Sequence, residues 1–141
     1  MNDHDGNANV RAAVPAWQRG LAVAAGLFGL LTIFSGGKVL FGPEEARIAA
    51  GAYVPFVVWF NFLAGFAYVA AAVLIWRGMR IACLAAALIA GATLLVFALF
   101  GLHIAAGGAF EGRTLGAMTL RSGFWLVATA LLWRRRKGPA Q

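Results

Sequence analysis

The stretch Thr114-Leu-Gly-Ala-Met-Thr-Leu-Arg-Ser-Gly-Phe-Trp-Leu-Val-Ala128 decides how the rest of the chain is read. It is apolar enough to lie in a bilayer, yet Arg121 stands inside it. A cation at membrane depth is costly, and such residues face a bundle interior, a partner or water. The sequence therefore predicts an all-α protein, a bundle of four transmembrane helices assembled around Arg121.

Composition points the same way. Of 141 residues, 62% are hydrophobic and 12% charged, against about 45–50% and about a quarter in a soluble domain. The length allows one bundle and no separate soluble domain. The net charge is +7, but Arg134-Arg135-Arg136-Lys137 supplies four of these charges directly after an apolar segment. That is the placement of a membrane orientation signal, with anionic lipid as its partner and no role in nucleic-acid binding. A single cysteine, Cys83, excludes an intrachain disulfide and a Cys-x-x-Cys site.

Outward from the fourth helix, placed at residues 114–133, a glycine-rich loop (107–113) leads back to an alanine-dense third helix at 81–105. Arg77-Gly78-Met79-Arg80 is a tight connection to a second helix at 53–76, where Asn61, Gly65 and Tyr68 share one face. The first helix is placed at 19–41, with an apolar run from Leu21 to Phe34 followed by Ser35-Gly36-Gly37-Lys38. Gly42-Pro43-Glu44-Glu45 opens a short interfacial helix between helices one and two, since proline suits a first helical position and acids suit the positive dipole end. Residues 1–18 are expected to be a disordered tail and 134–141 a basic one. Asn2-Asp3-His4 has copper(II)-binding character only with Asn2 as a free terminus, so a plain solvated tail is the expectation. The acidic start does not suit a signal peptide.

Basic residues orient the bundle. Arg11, Arg19, Arg77, Arg80 and the 134–137 run fall on one side, and Lys38, Arg47, Arg113 and Arg121 on the other, eight against four. Both termini are expected to be cytoplasmic, in a bacterial-type inner membrane. Trp17, Trp76 and Trp133, each within two residues of an arginine, form the matching aromatic belt.

Depth then sorts the polar residues. At about 1.5 Å per residue, Arg121 lies about 18 Å from the cytoplasmic end of its helix and Asn61 about 12 Å from the outer end of its own. The two share a level in the outer half, with Lys38 and His103 near the outer ends of their helices. Glu111 and Arg113 lie in one outer loop, and Glu44 and Glu45 open the other outer segment. The cytoplasmic half offers little beyond Thr129. This asymmetry predicts an outward-facing polar pocket on an apolar floor. Each member has a plainer reading. Arg121 could form a structural ion pair with Glu111, Glu44 or Glu45, Asn61 could bond across helices, and His103 could cap a helix end. Trp125 could pack, or could stack on the guanidinium. Cys83 reads as inert packing. No metal site is expected, since His103 is the one bundle histidine. No catalytic triad or carboxylate pair is evident, so an autonomous enzyme ranks third, and the lack of an acid inside any helix argues against a proton-coupled transporter.

The end of helix one, Gly29…Ser35-Gly36-Gly37-Lys38-Val39-Leu40-Phe41-Gly42, resembles that of DoxX-like small four-helix bacterial membrane proteins. The Leu74-Ile75-Trp76-Arg77-Gly78 turn, the alanine-rich third helix and His103 near its outer end are also similar. The resemblance implies a membrane subunit of a redox complex such as a thiosulfate–quinone oxidoreductase, and carries over Lys38 and His103 alone. Where many members have a glutamate in helix two, this chain has Asn61. The combined expectation is a binding module. Arg121, His103, Asn61 and Lys38, with Tyr68 and Trp125 as the floor, would hold a small anionic or carbonyl-bearing amphiphile, a quinone or a lipid headgroup. The alternative is a structural or assembly subunit that packs against another membrane protein or a second copy of itself.

Overall fold

The computed structural model describes residues 13–138. The expected copper motif and most of the tail expected at 1–18 lie outside that range. Five helices and no strand occur among the described residues: α1 (Ala16–Phe41), α2 (Glu44–Ala50), α3 (Pro55–Trp76), α4 (Ile81–Ala105) and α5 (Gly112–Lys137). All but α2 are long and apolar enough to cross a membrane, and the protein is a multi-pass membrane protein. Even traversal brings the start of α1 and the end of α5 to one end of the bundle, here the termini end. The far end carries α2 and the α4–α5 loop.

The breaks have local causes. Pro43 forces Gly42 into extended backbone (ψ 176°), which ends α1. Pro43 is then the residue before α2 rather than its first, and no residue of α2 is buried. Pro55, which has no N–H to give, opens α3 two residues later than composition suggested. α3 and α4 both end in the same reversal. Met79 N–H reaches back to Leu74 O and Gly108 N–H to His103 O, each at 2.9–3.0 Å, while Gly78 and Gly107 take φ of 67° and 82°. A β-carbon disfavours that left-handed conformation, so glycine holds both positions.

Two boundaries move outward. α5 continues through the basic run to Lys137, where cations suit the negative end of the helix dipole. α1 begins at Ala16, so Gln18 is helical rather than part of a tail. It is 1% exposed, donates from Nε2 to Ile75 O at 2.7 Å and accepts from Arg135 Nη1. The termini end thus has a buried polar tie between α1, α3 and α5.

The packing is that of a membrane bundle. Leu27, Leu31, Phe34, Leu63, Leu88, Leu95 and Leu120 point outward, while alanines fill the inside. Near the termini end the core holds Ala22, Ala25, Ala71, Ala86, Ala90 and Ala128 around Ile75, Cys83, Tyr68 and Trp125. Lipid replaces water as the outer solvent, so small residues go where helices must approach. Cys83 is a free, buried thiol in this core. α1 lies closest to α3, and α4 to α5. Gly29 and Gly65 make the first contact possible. A β-carbon on Gly29 would stand 2.8 Å from Gly65 O, and one on Gly65 would stand 2.6 Å from Ile33 Cγ1. Trp17, Trp76 and Trp133 are exposed at the termini end, with Arg19 over the Trp76 ring and Lys137 over the Trp133 ring.

Candidate binding cleft

One stripe of α1 faces α5. Gln18 meets Arg135, Phe28 meets Phe124 edge-on at 5.5 Å, and Thr32 meets Arg121. The stripe continues at helical spacing to Ser35 and Val39. There α5 presents Ala117 and Thr114, residues too small to close the gap. The two helices are bridged by large side chains below and left apart above. The result is a cleft of about 230 Å³ at the far end, walled by α1, α3 and α5 and covered by the α2–α3 segment around Ala50 and Tyr53.

The cover is held by two tethers. Glu111 precedes α5, and its Oε1 accepts from Ala52 N–H at 2.9 Å. Arg113 Nη2 donates to Ala49 O at 3.0 Å, at the carbonyl end of α2. Both residues line the cleft, and each spends one hydrogen bond on the backbone of the cover.

Arg121 differs from them. It is 8% exposed, and among the described residues its one hydrogen bond is from Nη2 to Thr32 Oγ1, at a long 3.4 Å. The guanidinium lies 5.7 Å from the Phe28 ring centroid, a cation–π arrangement. Its Nε is occluded without a partner. No carboxylate lies within 4.0 Å of it among the described residues, where the one ion pair is the exposed Glu44–Arg47 contact on α2 at 3.9 Å. Glu45, like Glu44, is exposed on α2 and does not line the cleft. Asn61 lines the cleft at 8% exposure and, among the described residues, makes no hydrogen bond through its side chain, its Oδ1 being occluded.

Beneath the cleft, Tyr68 and Trp125 are fully buried with ring centroids 4.9 Å apart, and neither belongs to the cleft wall. Among the described residues the Tyr68 hydroxyl, Trp125 Nε1, Thr93 Oγ1 and Ser122 Oγ make no well-formed hydrogen bond, although Thr93 and Trp125 stand beside the Tyr68 hydroxyl. Such groups are costly in a low-dielectric interior and mark places where water or a ligand completes the bonding.

The sequence-derived residues therefore separate. Arg121, Asn61, Glu111 and Arg113 come together at the cleft. Lys38 is exposed over the Phe34 ring. His103 stands on α4, which gives the cleft no residue. Its Nε2 is 3.1 Å from Ala109 O, closing the α4–α5 loop, and Phe56 meets it edge-on. Thr32 and Phe28, the two side chains that hold Arg121, were missed. The signal was present, since Gln18, Phe28, Thr32 and Ser35 recur at helical spacing within α1. Thr32 was absorbed into an apolar run. Thr93 and Ser122 were passed over in the same way. Comparison with protein-family profiles, with curated proteins and with solved structures finds no match to this chain.

Proposed function

We propose that the protein is an inner-membrane binding module, oriented with both termini in the cytoplasm, whose cleft accepts the polar head of a small anionic or carbonyl-bearing amphiphile such as a quinone or a lipid. One observation carries this reading. Among the described residues, buried Arg121 stands beside the cleft with a single long hydrogen bond and no carboxylate within 4.0 Å, whereas Glu111 and Arg113 are less buried and each bonds to backbone of the α2–α3 segment. A guanidinium has five donors in a planar fork, and here most of them await an acceptor. Asn61 adds an amide at the same wall. The DoxX-like resemblance is compatible with the quinone version, in which the protein is the membrane subunit of a redox complex.

The runner-up is a structural subunit whose glycine and alanine faces dock other membrane helices. The Gly29–Gly65 contact is already used inside the bundle, which favours the binding reading. Thermal unfolding in phosphatidylcholine nanodiscs tests it, with and without a quinone and a set of anionic amphiphiles. The expected result is that at least one compound raises the melting temperature of wild type, and that Arg121→Gln and Arg121→Lys fold but lose the rise. Absence of any shift across the panel refutes the binding reading. Reporter fusions after Gln141 and at Gly108 test the orientation, and a periplasmic C-terminus overturns it.

A further inference from the structure

The cleft reading leaves open whether the occupant is charged, how many chains it carries and from where it enters. Resting on that reading, we infer that the occupant is a single-chain carboxylate, a long-chain fatty acid. It would enter sideways from the bilayer between α1 and α5 and place its head on Arg121.

Charge excludes a neutral head. Of the three charged groups lining the cleft, Glu111 and Arg113 oppose each other and are tied to Ala52 N–H and Ala49 O. Arg121 remains as an uncompensated cation in a low-dielectric wall. A carbonyl compound would offer it a dipole, and a carboxylate offers a full opposite charge and two oxygens that match the fork. The hydrogen bonds available at this level fit an acceptor-rich head, since Arg121 and the Asn61 amide can both donate to it.

Size and depth exclude a two-chain lipid. A volume of about 230 Å³ is below the roughly 300–1,000 Å³ of sites that enclose a whole drug-sized ligand. It holds a head and little more, so the tail lies outside. Arg121 is nine residues into α5, about 13 Å below its far end at 1.5 Å per residue. A phospholipid phosphate would have to leave the interface and draw two chains with it to reach that level. A single chain can slide inward until its carboxylate meets the guanidinium.

Geometry supplies the sideways route. Ser35 on α1 is exposed, and Val39, Ala117 and Thr114 are half-buried, so the wall between α1 and α5 reaches the lipid-facing surface. On the aqueous side the α2–α3 segment, tied to the start of α5 by Glu111 and Arg113, lines the cleft with Ala50 and Tyr53.

The test uses the full chain in phosphatidylcholine nanodiscs. Oleate, methyl oleate, dioleoylphosphatidylglycerol, inorganic phosphate and a neutral quinone are added separately, and melting temperature and bound oleate are measured. Oleate is expected to raise the wild-type melting temperature by about 4 °C or more at saturation. Methyl oleate, which has the same chain without the charge, is expected to give no shift. Arg121→Lys is expected to weaken oleate binding at least about tenfold, since it keeps the charge and loses the fork. Ala117→Phe, which fills the gap toward α1 from a half-exposed position, should fold and bind no oleate while leaving Arg121 in place. A shift with the quinone but not with oleate overturns this inference and leaves the binding reading standing. Equal shifts with oleate and methyl oleate overturn the charge argument. A shift with phosphatidylglycerol or inorganic phosphate in place of oleate overturns the single-chain carboxylate. Undiminished oleate binding by Ala117→Phe overturns the sideways route.

Discussion

α1 meets two partners in opposite ways. Against α3 it presents Gly29 and Gly36, so the backbones touch. Against α5 it presents Gln18, Phe28 and Thr32, and side chains keep the backbones apart. At Gly29 and Gly65 the first contact has no room for a single added carbon. The second contains a cleft and a buried cation with a single long hydrogen bond among the described residues. Stability and ligand space are thus assigned to different faces of one helix. In a bilayer there is little hydrophobic drive between helices, so close van der Waals packing must supply the association. Only a bundle held firmly along one seam can leave another partly open.

The largest effect is expected where the seam is tightest. Gly65→Leu places a branched side chain where a lone β-carbon already stands 2.6 Å from Ile33 Cγ1 and 3.0 Å from Gly29 O. Backbone cannot retreat as a side chain can, so α3 must move away from α1. Overpacking costs about 1–3 kcal/mol and more when backbone is displaced. The variant should unfold at much lower temperature or fail to accumulate. By contrast, Gly91→Leu, on α4 where nothing lies within 4 Å of an added β-carbon, should be tolerated. Equal tolerance of both would break the comparison of the two seams.

A smaller loss is expected at the closed end of the α1–α5 seam. Gln18→Ala removes the donor to Ile75 O and the acceptor for Arg135. An intramolecular hydrogen bond contributes about 0.5–1.5 kcal/mol, and one to a charged group about 1.5–3 kcal/mol. Arg135 lies near the interface and can turn to water, so the net loss should be about 1–2 kcal/mol. That corresponds to a fall of roughly 4–8 °C in melting temperature for a chain of this size. If Gln18→Ala is neutral, the polar tie does not close the seam.

How much of this was legible depends on what a residue contacts. The four spans follow from long apolar runs, and the short α2 follows from Gly42-Pro43-Glu44-Glu45, because those signals are local. That Arg121 and Asn61 share a level follows from helix rise alone. The cleft itself was not legible in detail. Its shape comes from Ala117 and Thr114 facing Ser35 and Val39 across 75 or more residues of chain, and small residues carry no mark of what they fail to touch. Gln18 illustrates the opposite error. Among Pro15, Ala16 and Trp17 it reads as the end of a tail, and only the third dimension shows Ile75 O and Arg135 beside it. The acid expected to lock Arg121 was sought by charge. Glu111 is near in the fold but is committed to Ala52 N–H, a backbone partner that sequence does not reveal.

That last point gives the smallest expected effect. If Arg121 and Glu111 formed a lock, removing either would leave the other as an unpaired buried charge, and breaking such a pair costs roughly 3–5 kcal/mol. Glu111→Gln would then restore part of what Arg121→Gln lost. In the structure the two do not pair. Glu111 accepts from Ala52 N–H, and Arg121 donates to Thr32. An amide at position 111 still offers an oxygen to Ala52, so Glu111→Gln should be mild. Arg121→Gln removes a cation that has no counter-charge, so the empty protein loses little. A double-mutant cycle on melting free energies should therefore give an interaction energy within about 0.5 kcal/mol of zero, the range seen for sites that share no partner. A coupling of 2 kcal/mol or more (on the order of a real buried pair) would mean that the cleft is closed by an internal salt bridge. The open seam would then be a second structural seam, and Arg121 would have no charge left for a ligand.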